Sequence, residues 1–406
     1  MAIELNNSRF GANSAGGLEG FAKELRKMSM GSQSIDTAEA TYRANEAAAA
    51  LRNVGAIPNL HIGGNAVYYI GDSIVAYGIA SSGGGGEVGT LYKPLIGARA
   101  WAAWAMALSD GVIRYAGQSA TGGYTSAQIL NEHLPNALKS GADYCIISAG
   151  TNDLRLEVAE ATTIANIYNI CDQLRGVGIK PLPMLMPGRQ ELTAEHLAKK
   201  ARIHAAIRAY CELHDLPVVD MQTAVANPST GAWIPGYNYD ISHPNQHGAF
   251  HMGKAVVKAL GPRIAKVYPI RPASATGNGN LVKSGQFDGT DGWTLKGDAV
   301  VADTEELGKD LVLVAGQSAT QTVTTPASGV VAFNFRFKVE GAAPSVGVYV
   351  TQGGNPVAGT RAWIRDTEGY RYMTFEFTST NASTIINLES TAGTLRVGEV
   401  GLYTMA

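Results

Sequence analysis

The chain has 406 residues, 45% of them apolar and 16% charged, with 32 Lys and Arg against 34 Asp and Glu. That length suits two or three domains, and a formal net charge of −2 gives no support to electrostatic binding of nucleic acid or a membrane surface. No apolar run approaches the roughly 18 residues of a spanning helix, so no membrane insertion is expected.

The opening MAIELNNSRFG has no basic or apolar signal segment, so synthesis in the cytoplasm without a signal peptide is expected. Residues 1–60 carry short helical patterns. The Ala-rich stretch 35–54 has too few large apolar residues to fold alone, and is expected to serve in attachment or oligomerisation. From 61 to 268, short β-rich runs (67–70, 112–115, 144–148, 180–185, 216–220) alternate with amphipathic stretches (94–108, 126–138, 157–174, 194–214, 246–260). Such alternation predicts an α/β domain, a parallel sheet with helices on both faces and its ligand site at the carboxyl ends of the strands. Residues 269–280, rich in Pro, Gly, Ser and Asn, read as a linker. Residues 281–406 are nearly all β-type and predict a β-sandwich or jelly roll. Cys145, Cys171 and Cys211 lie far apart and read as buried free thiols.

Four short blocks carry groups suited to chemistry. In YIGDSI (69–74) a predicted strand ends in small residues and Ser73. A serine there is either an exposed nucleophile or a helix cap. In RYAGQS (114–119), Gly117 is expected just after the second strand, where the missing side chain lets the backbone approach a ligand. In IISAGTND (146–153), Asn152 can donate to an oxyanion and Asp153 can brace the loop; the plainer alternative is an Asx turn. In YDISHPN (239–245), Asp240 and His243 share one loop, so a carboxylate can fix and charge-stabilise an imidazole. The alternative is a polar surface loop with Ser242 or Asn245 capping the next helix. His247 and His251 follow at helical spacing, but no HExxH pattern accompanies them, and no metal is expected.

Taken in order, these blocks resemble the SGNH (GDSL-like) hydrolase superfamily: GDS at 71–73, the Gly of AGQS at 117, GTND at 150–153 and DISH at 240–243, over roughly residues 61–265. The resemblance implies a flavodoxin-like α/β/α fold and a cofactor-free serine esterase. Ser73 is then the nucleophile, His243 the base and Asp240 its orienting acid. The oxyanion hole comes from the Ser73 and Gly117 N–H groups and the Asn152 side chain. The sequence departs from the family at Tyr115, where Asn is common, and residues 120–123 look like an insertion.

The run NLVKSGQFD with Gly292 and Trp293, and the ending VGEVGLYTMA, resemble carbohydrate-binding jelly-roll modules, with Trp293, Tyr349 and Trp363 able to stack on sugars or pack the core. The whole layout resembles bacteriophage tail-spike or tail-fibre esterases. This implies an acetylated bacterial surface polysaccharide (capsule or lipopolysaccharide) as substrate and virion (tail) localisation. It also implies a homo-oligomer, taken as a trimer, and attachment to other virion proteins through the N-terminus. Asp72, Tyr77, Trp233, Tyr237 and Tyr239 are the candidate substrate contacts, with loops 77–88, 119–125, 186–191 and 233–239 shaping the pocket. Two alternatives stand beside this: a non-catalytic glycan- or receptor-binding virion protein on the same scaffold, and a lipase or thioesterase of the same superfamily.

Overall fold

The computed structural model describes residues 64–79, 95–96, 100–264, 280–304, 308–363 and 366–405. The expected helix at 35–54, most of the 77–88 loop and nearly all of the 269–280 linker lie outside these residues.

The first half is built on five parallel strands: β1 (Ala66–Gly71), β2 (Arg114–Ala120), β3 (Tyr144–Ser148), β4 (Lys180–Leu185) and β5 (Val219–Asp220). Their order across the sheet is β2-β1-β3-β4-β5, so the chain reverses direction across the sheet between β1 and β3. The intervening helices are α1 (Ser73–Ile79), α2 (Trp101–Leu108), α3 (Ser126–Gln128, a π-helical turn Ile129–His133, then Leu134–Leu138), α4 (Thr151–Arg155), α5 (Glu160–Gly176), α6 (Ala194–Leu213), α7 (Met221–Val225) and α8 (Gln246–Leu260).

Alternation along the strands makes two cores. Val67, Tyr69, Tyr144, Ile146, Leu182 and Met184 face Trp101, Trp104 and Phe250 of α2 and α8. Tyr68, Ile70, Cys145, Ile147 and Leu185 face the other side, against α3, α5 and α6. This is the three-layer α/β/α architecture the sequence pattern predicts. The three cysteines are free and buried, all in the second core. No helix among the described residues is long and apolar enough to cross a membrane.

The second half is antiparallel: β6 (Thr294–Lys296), β7 (Val300–Thr304), β8 (Gly308–Val314), β9 (Gln317–Thr324), β10 (Val330–Gln352), β11 (Asn355–Trp363), β12 (Arg371–Thr378) and β13 (Ser383–Met405). The two 23-residue strands, β10 and β13, pair from Val330↔Met405 to Thr351↔Ile385, with register shifts between Glu340 and Val346. Before those shifts β10 also pairs with β12; beyond them it pairs with β11. The same two strands thus run through both layers of a sandwich. Phe333, Phe335, Phe337, Val348 and Val350 fill its interior. Trp293 (8% exposed) and Tyr349 (7% exposed) belong to the buried residues, so neither is an open sugar platform. The Trp293 indole donates to Lys283 O at 3.1 Å. The side chain of Trp363 lies outside the described residues.

Arg114–Glu376 (3.4 Å), Lys254–Glu368 (3.1 Å) and Arg371–Asp110 (3.9 Å) join the β half to the α/β half.

Candidate active site

Gly71 ends β1 where a Cβ would stand 2.6 Å from Ser148 O, so only glycine lets β1 and β3 close together at this edge. Asp72 follows, fully buried. Its Oδ1 accepts from Ile74 N–H (3.0 Å) and Ser148 Oγ–H (3.1 Å), and its carbonyl accepts from Ala76 N–H (2.9 Å). Asp72 therefore caps α1, and Ser73 occupies the first helical position. The capping alternative for Ser73 is thereby removed, because the neighbouring carboxylate already does that work. Burial raises the Asp72 carboxyl to about 7, although the bonds from Ile74 and Ser148 oppose the rise. Asp72 does not reach a substrate, contrary to the sequence expectation. α1 is fixed in turn by Trp101, whose indole donates to Ile74 O at 2.8 Å.

After β3, Gly150 turns with φ +105 and α4 begins. Asn152 is buried, and its Nδ2 donates to Tyr124 O at 3.0 Å. An amide nitrogen carries two hydrogens, so one remains for a ligand. Asp153 braces the loop: it accepts from Ser126 N–H (2.9 Å) and Oγ–H (2.5 Å) and from Thr163 Oγ1–H (3.2 Å), tying α4 to α3 and α5.

Gly117 needs correction. It does not follow β2 but lies inside it, paired with Tyr68 well before the sheet edge, where Gly71 pairs with Ala120. Its φ of +123 and a virtual Cβ 2.8 Å from the Tyr68 ring explain the glycine by packing. The strand is followed by Gly122 and Gly123, both exposed, and Gly123 has φ +86 with open space where a Cβ would lie. Its turn is tied to β1 by Thr121 N–H to Gly71 O (3.1 Å) and to Asn152 through Tyr124 O. This turn, and not Gly117, is the glycine-containing backbone at the strand end.

The fourth block forms a tight turn. Asp240 Oδ1 accepts from the N–H groups of Ser242 (2.7 Å) and His243 (2.8 Å), and His243 Nδ1 lies 2.8 Å from Asp240 Oδ2. Tyr239 N–H returns to His243 O at 2.8 Å. Burial alone pushes the Asp240 carboxyl up, but the bonds from His243 and Ser242 outweigh it and hold it below the ordinary carboxylate range. Asn245 caps α8 through Gly248 N–H (3.1 Å). Ser73 and His243 sit at the same edge. Ser73 heads α1 and His243 precedes α8, and both helices pack on α2.

The proposed aromatic contacts divide. Trp233 is 2% exposed, with its ring and backbone against Gly188, so it packs the loop instead of meeting substrate. Tyr237 stacks on His251 (centroids 4.6 Å) and meets its Nε2 at 2.9 Å. Tyr239, 51% exposed beside the Asp240–His243 pair, is left as an accessible ring. The Tyr77 side chain lies outside the described residues.

Sequence reasoning missed Arg189. Its loop after β4 is pinned from below by α6. His204 Nε2 accepts Met186 N–H (2.9 Å) and Lys200 Nζ donates to Pro187 O (2.6 Å). From above, Arg189 N–H meets Gly231 O (3.0 Å), Gln190 N–H meets Ile241 O (2.9 Å), and Arg189 Nη1 donates to Ser242 Oγ. Burial lowers His204 to about 3 and Lys200 to about 8. No motif spacing flagged Arg189, because only the folded loop brings it to Ser242.

Residues 69–249 match the model of the GDSL-like Lipase/Acylhydrolase family. Among solved structures, the chain is similar to a GDSL-like lipase from Bacteroides thetaiotaomicron VPI-5482, with 20% identity, 54% of this chain and 98% of that one covered, and a TM-score of 0.38. It is also similar to a catalytic mutant of an acetylxylan esterase from Geobacillus stearothermophilus, with 17% identity, 49% and 94% covered, and a TM-score of 0.38. No curated protein matches the chain.

Proposed function

We propose, on the match of residues 69–249 to the GDSL-like Lipase/Acylhydrolase model, that the chain is a serine ester hydrolase of the GDSL/SGNH type that removes O-acetyl groups from a bacterial surface polysaccharide. The observation that carries the chemistry is the Asp240–His243 pair, 2.8 Å apart, at the sheet edge where Ser73 stands with its hydroxyl relieved of capping. With Nδ1 held by Asp240, His243 Nε2 is the nitrogen that takes the Ser73 proton as Oγ bonds to the ester carbon. The tetrahedral oxygen is received by N–H groups of Ser73, Gly123 and Asn152, each such donor typically worth about 3 kcal/mol of barrier. Collapse breaks the ester C–O bond, and the leaving sugar oxygen takes the proton from His243. Water, giving its proton to His243, then attacks the acyl-serine and releases acetate and free Ser73. Every step uses side chains and backbone of this chain.

The polysaccharide and its setting, the tail of a bacteriophage as a homotrimer attached through the N-terminal segment, rest on the order of the three regions along the sequence. The exposed Tyr239 beside the pair supports a sugar-sized substrate. The test is acetate release from a panel of acetylated capsular and lipopolysaccharide O-chains, with p-nitrophenyl acetate as a general ester. Wild type is expected to release acetate and Ser73→Ala to release none above background while keeping its circular-dichroism spectrum. Glycan binding without any Ser73-dependent hydrolysis would leave a non-catalytic binder; a preference for long acyl chains would make it a lipase or thioesterase.

A further inference from the structure

The loop after β4 ends in a guanidinium that the fold fixes at both ends and leaves with donors to spare. Lys200 and His204 hold the loop at Pro187 and Met186, and Gly231 and Ile241 hold it at Arg189 and Gln190. The Arg189 side chain is half-buried, and its Nη1 donates to Ser242 Oγ, one residue from His243. Among the described residues Ser242 Oγ is the one acceptor the guanidinium meets, and no carboxylate forms an ion pair with it. The charged groups near enough to act on it are Arg155, Glu191, Asp240 and Asp72. Arg155 adds positive charge, Glu191 is exposed, Asp240 is engaged by His243, and Asp72 is buried under α1.

A planar guanidinium presents two forks. With Nη1 spent on Ser242, the side formed by Nε and Nη2 remains, two parallel N–H groups at the spacing of a carboxylate. A half-buried guanidinium keeps only part of its hydration, so one without a carboxylate partner beside this loop is placed to receive an anion.

Building on the ester hydrolase reading above, we propose that Arg189 selects an anionic substrate: an acylated acidic sugar whose carboxylate sits on the Nε–Nη2 fork while its ester reaches Ser73. The carboxylate fixes the orientation of the sugar ring and contributes to binding and not to bond breaking.

The test uses the full chain and a matched pair of substrates, an O-acetylated hexuronate oligosaccharide and its methyl ester, which differ in the carboxyl charge and one methyl group, with acetate release as the readout. Loss of one charged hydrogen-bonding partner is worth roughly 1.5–3 kcal/mol, or about tenfold or more in kcat/KM. Wild type is expected to favour the free acid over the methyl ester by at least about tenfold, through KM, and added salt is expected to erode that preference. In Arg189→Met the ratio between the two substrates is expected to fall close to one, with Arg189→Lys intermediate because a lysine keeps the charge but loses the fork. A wild-type ratio near one, with both substrates and p-nitrophenyl acetate cleaved in a Ser73-dependent way, overturns the role of Arg189 and leaves the esterase reading standing. The same holds if Arg189→Met and Arg189→Lys both keep the wild-type ratio. Absence of hydrolysis of all three esters by wild type overturns the two together.

Discussion

Replacing Asp72 by Asn tests how firmly the neighbour of Ser73 is buried. The carboxyl is raised from 3.8 to about 7, chiefly by burial. Roughly three pH units at about 1.4 kcal/mol each amount to about 4 kcal/mol, an order of magnitude, between the two protonation states. The folded protein prefers the neutral acid, so it binds a proton that the unfolded chain has released above about pH 4. This group therefore costs nothing below about pH 4, and its cost grows as pH rises toward 7, where folded Asp72 ionises. Asparagine keeps an oxygen for Ile74 N–H and Ser148, and places its nitrogen where Asp72 Oδ2 has no partner. Its cost does not vary with pH. Urea unfolding of the two proteins at pH 4, 5.5, 7 and 8 should give a stability difference that moves in favour of Asp72→Asn by several kcal/mol across the series. All other titrating groups are shared and cancel. A difference that stays flat from pH 4 to 8 would refute the argument from burial.

Asp240→Asn should lower kcat for p-nitrophenyl acetate by about four orders of magnitude, since an amide cannot hold the required imidazole tautomer; stopped-flow or overnight rates near wild type would assign the acid elsewhere. Gly117→Ala should cost about 2–5 kcal/mol in urea unfolding, because it forces a side chain onto φ +123 and against the Tyr68 ring. The rate per folded molecule should hold, and a tenfold fall in kcat/KM at unchanged stability would return Gly117 to the oxyanion hole.

The parts of the fold legible beforehand were those written in apolar periodicity. β3 and β4 match their expected limits because both faces are buried over Tyr144–Ile147 and Pro181–Leu185, which are continuous apolar runs. β2 was expected at 112–115 and found at Arg114–Ala120. It is an edge strand, held through its backbone to β1, and its half-exposed small residues give little apolar signal. That one shift moved Gly117 from the loop into the sheet and hid Gly123 inside what looked like an insertion. Asp240 and His243 were legible because a local turn joins them. Arg189 was not, since its place depends on α6, Gly231 and Ile241, all distant in sequence.

The two long strands of the β-sandwich also dictate when that half can form. The strand pairings of β10 are all with β11, β12 and β13, which follow it, and its main partner, β13, runs to Met405. The Val330↔Met405 end of this pairing must wait for the last residues of β13 to be made. β1, β2 and β3 need nothing beyond Ser148 to align. The sheet of the α/β half can therefore begin to align during synthesis, while the sandwich is completed late. Until β12 and β13 follow, Phe333, Phe335 and Phe337 lack the strands they pair with, which makes the nascent second half the part more open to mispairing.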